Sequence, residues 1–79
     1  MPVKYTTNTA RLIDTVNVED AEGLLEWLQT QKKPKVNLSA CSHLHAANLQ
    51  VLMAAKPVIS AWPKDMELAA WLKGALDTR

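Results

Sequence analysis

Residues 36–55, VNLSACSHLHAANLQVLMAA, constrain the fold more than any other part of the chain. Residues 36–39 read as a short buried strand, and residues 40–45 as a polar corner. From about Ala46 the apolar positions Leu49, Leu52 and Met53 fall three and four apart, the spacing of one helix face. A strand that turns through a short corner into a helix is the repeating unit of an open α/β sheet, and binding sites gather at such corners. The corner holds Cys41, His43 and His45, the one cysteine and both histidines of the sequence.

Prolines bound this unit and mark its neighbours. Upstream, residues 3–5 suit an edge strand and residues 6–9 a turn. Residues 10–16 form the next strand, with Leu12, Asp14 and Val16 alternating against Arg11, Ile13 and Thr15, so both faces are mixed; a hairpin joins the two segments. Asn17 is an N-cap type, and Glu19, Asp20 and Glu22 place negative charge where the helix dipole favours it. Ala21, Leu24, Leu25 and Leu28 then share a face, flanked by Trp27, until Pro34 forbids continuation. Gly23 weakens that helix by up to about 1 kcal/mol relative to Ala.

Residues 35–39 are the following strand, and the central helix covers about 46–56. Its start reads as poorly capped: Ser42 lies too early and histidine is not a preferred cap, which leaves first-turn N–H groups open to water or a ligand. Pro57 ends it. Residues 58–62 are nearly continuous in apolar character, as in a strand covered on both faces. After the turn at 63–65, Asp65 caps a last helix with Leu68, Leu72, Ala75 and Leu76 on its core face and Trp71 beside it. The order β(β)αβαβα predicts a small α/β domain: a mixed sheet of three or four strands packed by three helices, with right-handed parallel crossovers. A sheet this small leaves one face thinly covered, which favours a partner or self-association.

The 79 residues are expected to form a single domain, 1–79, burying about 60% of its unfolded surface. A 48% apolar share supports a globular core. Net charge of +1 argues against a nucleic-acid partner, which calls for a concentrated basic face. The cluster Lys32, Lys33 and Lys35 reads as a solvated loop. One cysteine allows no intrachain disulfide. No segment has the length and hydrophobicity of a membrane span, and residues 1–9 lack a secretory core, so a cytoplasmic protein without membrane insertion is expected.

Cys41, His43 and His45 sit too close along one segment, and are too few, to close a tetrahedral zinc site. A thiol near a helix start can be activated, yet no orienting group or substrate cleft accompanies it. Phosphate-binding glycine loops, a Ser–His–Asp set and paired catalytic carboxylates are missing from the sequence. Neither enzymatic activity nor a cofactor is expected. Trp27, Trp62 and Trp71 supply core bulk in a sequence without phenylalanine.

Asn37-Leu38-Ser39-Ala40 followed by His45-Ala46-Ala47-Asn48-Leu49 resembles the pattern of the STAS domain family, which includes the bacterial anti-sigma-factor antagonists. Such domains also open with antiparallel strands. The resemblance implies a non-enzymatic protein-interaction module, bound by an anti-sigma-factor-like kinase. An alternative within it is a cytoplasmic accessory subunit of a transporter, or a small-ligand-binding STAS domain. The implied contact surface comprises Ser39, Ala40, Ser42, His43, His45, Ala46, Asn48 and Gln50. Ala46 occupies the position of the serine that the family's partner kinase phosphorylates, and His45 replaces the preceding aspartate, so the family's serine switch is absent. Leu44-His45-Ala46 is also similar to the helix start of the sugar-uptake phosphocarrier proteins, whose histidine takes a phosphate; their following arginine is replaced here by Ala46, Ala47 and Asn48.

Overall fold

The computed structural model describes residues 2–77. Its elements are β1 (Val3–Tyr5), β2 (Thr9–Val16), a 3-10 turn (Val18–Asp20), α1 (Ala21–Thr30), β3 (Lys35–Leu44), α2 (Ala46–Ala55), β4 (Val58–Ala61) and α3 (Met66–Asp77). The sheet order is β1-β2-β3-β4, identical to the chain order. β1 pairs antiparallel with β2, whereas β2–β3 and β3–β4 are parallel. The α/β class, the mixed sheet, the three helices and the opening hairpin all agree with the sequence reading.

Successive right-handed crossovers that advance across a sheet in one direction place their helices on the same face. The core shows that arrangement. Leu24 and Leu28 of α1, Leu49 and Leu52 of α2 and Leu72 and Leu76 of α3 join one cluster with Val3, Ala10, Leu12, Val16, Val36, Leu38, Cys41 and Leu44 of the strands. α1 packs on α2, and α2 on α3. Trp27 lies against this cluster and stacks on Tyr5 with ring centres 5.2 Å apart, which ties the β1 edge to α1. The molecule is thus two layers deep, measuring 30 × 28 × 20 Å. The opposite sheet face is bare among the described residues: Lys4, Arg11, Thr15, Lys35 and Ser60 are exposed there, and Val58 is 59% exposed. Among the described residues no helix is long and apolar enough to cross a membrane.

Four local expectations are corrected. First, β3 does not stop at Ser39; it runs to Leu44, so residues 40–44 are strand and not corner. Two irregularities hide its length. The pairing with β2 slips between Arg11 and Ile13 and again between Asp14 and Thr15, each time with an extra residue on β3. The inward positions therefore become Val36, Leu38, Cys41 and Leu44, and the period of two is lost. The same adjustment spares Asp14, which shares phase with Leu12 and Val16. Its backbone turns left-handed at φ 55°, and its side chain stays exposed.

Second, β4 is an edge strand with one bare face, not a strand covered on both; it stops at Ala61, before Trp62. Third, Met53 lies largely outside the core, and Trp71 is 47% exposed, so only Trp27 and Trp62 contribute packing bulk. Fourth, α2 is capped. It ends at Ala55, with Lys56 left-handed at φ 51° and donating its N–H to Leu52 O at 2.9 Å. Its N-terminal cap belongs to the site described next.

Candidate functional site

One residue, His45, separates β3 from α2. The backbone must reverse from strand to helix there, and a dense set of bonds fixes the reversal. The His45 N–H donates to Val16 O at 2.9 Å, anchoring the junction to the end of β2. His45 Nδ1 accepts from the Ala47 N–H at 3.0 Å, and His45 O accepts from the N–H groups of Asn48 (2.9 Å) and Leu49 (3.3 Å). Histidine thus serves as the N-cap, in the tautomer that carries its proton on Nε2. Of the first-turn N–H groups expected to be open, those of Ala47 and Asn48 are satisfied from within the junction.

Asn48 completes the anchorage from below. It is 0% exposed and donates Nδ2 to Asn17 O at 2.8 Å and to Val16 O at 3.4 Å. Facing two carbonyls, that nitrogen is fixed as the donor end of the amide. Its Oδ1 has no partner among the described residues. The Asn17 N–H in turn donates to Asp20 Oδ2 at 3.0 Å, which orders the entry to α1. The end of β2 and the start of α2 are therefore joined directly by hydrogen bonds.

The implied contact residues divide into three groups. Ser42, His43, His45, Ala46 and Gln50 are exposed along the last residues of β3 and the first turns of α2. Ser39 and Ala40 belong instead to the middle of β3, a strand that advances about 3.3 Å per residue. Ser39 is occupied there: its Oγ donates to Asn37 Oδ1 at 2.7 Å and its N–H donates to the same atom at 2.9 Å. Asn48 is removed from the surface altogether and acts as a clamp. A residue that the sequence reading missed joins the exposed group from the neighbouring turn: Val18, 57% exposed, just beyond the end of β2. Only an apolar residue inside an acidic, cap-like segment signals it in the sequence.

Cys41 and the two histidines do not converge. Cys41 is buried in the core, while His43 and His45 are exposed. Its Sγ–H donates to His43 O at 3.5 Å, and burial holds the thiol above its ordinary value. That shift opposes thiolate chemistry. Among the described residues no group of three or more His, Cys, Asp or Glu side chains is placed to hold a metal ion. No cavity forms among the described residues.

Comparison with protein-family models, with curated proteins and with solved structures finds no match to this chain.

Proposed function

We propose that the chain is a non-enzymatic protein-interaction domain that binds its partner through the β3–α2 junction, in the manner of a STAS domain without a serine switch. The observation that supports this reading most is the contrast between rigidity and exposure at that junction. Its backbone is held by Val16 O, by the His45 cap and by Asn48, yet Ser42, His43, His45, Ala46, Gln50 and Val18 all face solvent. Pre-organised surface binds without the loss of conformational entropy that a mobile loop would incur. Val18 supplies an apolar anchor, and the histidines, Ser42 and Gln50 supply hydrogen-bonding groups around it.

The absence of a hydroxyl at Ala46 and Ala47 makes binding depend on partner concentration and not on a phosphorylation state at this turn. Ala46→Asp tests the surface. An acidic residue suits the first turn of a helix, so the fold tolerates it. A partner seated here must desolvate the new charge, and affinity falls. The measurement is the affinity of wild type and Ala46→Asp for a partner captured from lysate, with folding checked by thermal melt. Unchanged affinity with an intact fold would place the interface elsewhere.

A further inference from the structure

The bare sheet face carries an unbalanced charge. Lys4 and Arg11 are direct cross-strand partners on it, in the antiparallel register of β1 and β2. Arg11 is in turn level with Asn37 of β3, two residues beyond Lys35 on the same face. Three exposed cations from three strands thus adjoin one another, with Val58 beside Lys35 and Ile13 two residues beyond Arg11. Like charges directly opposite destabilise a strand pair.

The other side of the molecule shows the reverse. Glu22 and Glu26 stand four apart on the exposed face of α1, preceded by the exposed Glu19. Like charges at that helical spacing are also unfavourable. None of these six side chains has an ion-pair partner among the described residues. A two-layer domain therefore presents a basic sheet on one side and an acidic helix on the other, each internally repulsive and each complementary to the other.

We propose that the bare sheet face docks on α1 of a second copy of this chain, so that molecules stack head to tail. Each junction brings Lys4, Arg11 and Lys35 against Glu19, Glu22 and Glu26. It covers Val58 and Ile13 and gives the sheet helices on both faces, the arrangement that buries a parallel sheet fully. A two-fold dimer through the sheets would set cation against cation, and one through α1 carboxylate against carboxylate. The contact is consequently heterologous, and nothing in it closes a ring, so stacks grow with concentration. Lys4, Arg11 and Lys35 lie toward the opposite end of the strands from His45, and this inference does not rest on the binding reading above.

Sedimentation of the full chain tests it. At low ionic strength the average mass rises with concentration; in about 1 M salt, where screening reaches about 3 Å, it returns to that of a single chain. Two neutralised variants separate the faces. Lys4→Gln/Arg11→Gln/Lys35→Gln leaves only the acidic face, and Glu19→Gln/Glu22→Gln/Glu26→Gln leaves only the basic one. Each alone sediments as a single chain, with a circular dichroism spectrum like that of the wild type. Mixed, they form one junction and give a 1:1 pair that grows no further. A wild type that stays a single chain at low ionic strength overturns the proposal. So does association that survives in either variant alone, or a mixture of folded variants that fails to pair.

Discussion

The orphaned oxygen of Asn48 allows its contribution to be worked out by opposing two substitutions. In Asn48→Ala, one well-formed bond to Asn17 O is lost, a net effect of about 1 kcal/mol. The 3.4 Å contact to Val16 O adds little. Both carbonyls keep another donor, since Val16 O accepts from His45 N–H and Asn17 O from Asp20 N–H. Removal of the unpartnered Oδ1 returns about 1–3 kcal/mol of desolvation. Alanine also gains about 0.5 kcal/mol in helix propensity, and the small cavity left behind offsets about 1 kcal/mol. The variant should lie between about 0.5 kcal/mol below and about 1.5 kcal/mol above wild type in stability.

Asn48→Asp keeps the shape but sets a carboxylate against two carbonyl oxygens with no donor, a loss of about 3–5 kcal/mol for an uncompensated buried charge. At about 4–8 °C per kcal/mol for a domain of this size, a gap of 3 kcal/mol separates the two melting points by about 12 °C or more at pH 7. The gap depends on pH. Burial raises the folded carboxyl above its unfolded value of about 3.9, so the folded state holds the extra proton. Stability is retained below that value and lost as pH rises through the folded value. Near pH 4 the protonated acid can donate to Asn17 O as the amide does, and the two variants converge. The assay is urea unfolding of both variants at pH 4 and pH 7. Equal stability at pH 7, or a gap independent of pH, would refute the burial and the bonding assigned to this side chain.

Three further outcomes follow from local geometry. Lys56→Gly relieves a left-handed backbone at φ 51° and should raise stability by about 0.5–1 kcal/mol in thermal unfolding. Asp65→Ala removes a cap in which Oδ1 accepts from Glu67 N–H at 2.9 Å and Leu68 N–H at 3.2 Å; unfolding should show a loss of about 1 kcal/mol. Burial raises the Cys41 thiol and the Tyr5 hydroxyl, with the carboxylates of Asp14 and Asp20 acting in the same sense. The stability they contribute is full below their unfolded values, about 8.5 and 10, and falls as pH rises through the higher folded values. Denaturation midpoints should therefore drop above about pH 8.5, by less in Cys41→Ala and Tyr5→Phe than in wild type.

The sequence was informative wherever one local rule acted alone. The opening hairpin, the leucine face of α1, the Asp65 cap and the prolines that end α1 and α2 are each carried by neighbours a few positions apart. The strand–helix order follows from them. β3 was half legible because its two extra residues reset the inward phase, and no period-two template spans Val36, Leu38, Cys41 and Leu44. The cap at His45 was missed because its residue type is not a preferred cap; position and an accepting Nδ1 decided instead. Asn48 read as surface, since an amide in a first turn usually meets water, and only the approach of Asn17 from far along the chain buries it. The basic face was invisible because Lys4, Arg11 and Lys35 become neighbours only through strand register. Within the candidate site, Ala46, Gln50 and the histidines stood out by position. Val18 came from another element.

The identity of chain order and sheet order governs how the molecule can assemble. Among the described residues no strand is inserted between two that precede it, so each arriving strand finds an existing edge. β2 and β3 can pair, with α1 closing over them, before β4 has any role. No formed ladder needs to open for the next to join. Contacts are concentrated between consecutive strands and consecutive helices, yet the β2–β3 and β3–β4 ladders join residues 23 to 28 positions apart, and closing such parallel pairs slows folding relative to a helical bundle. A chain of this kind can also settle stepwise from its first residues onward, completing each strand–helix unit as it becomes available.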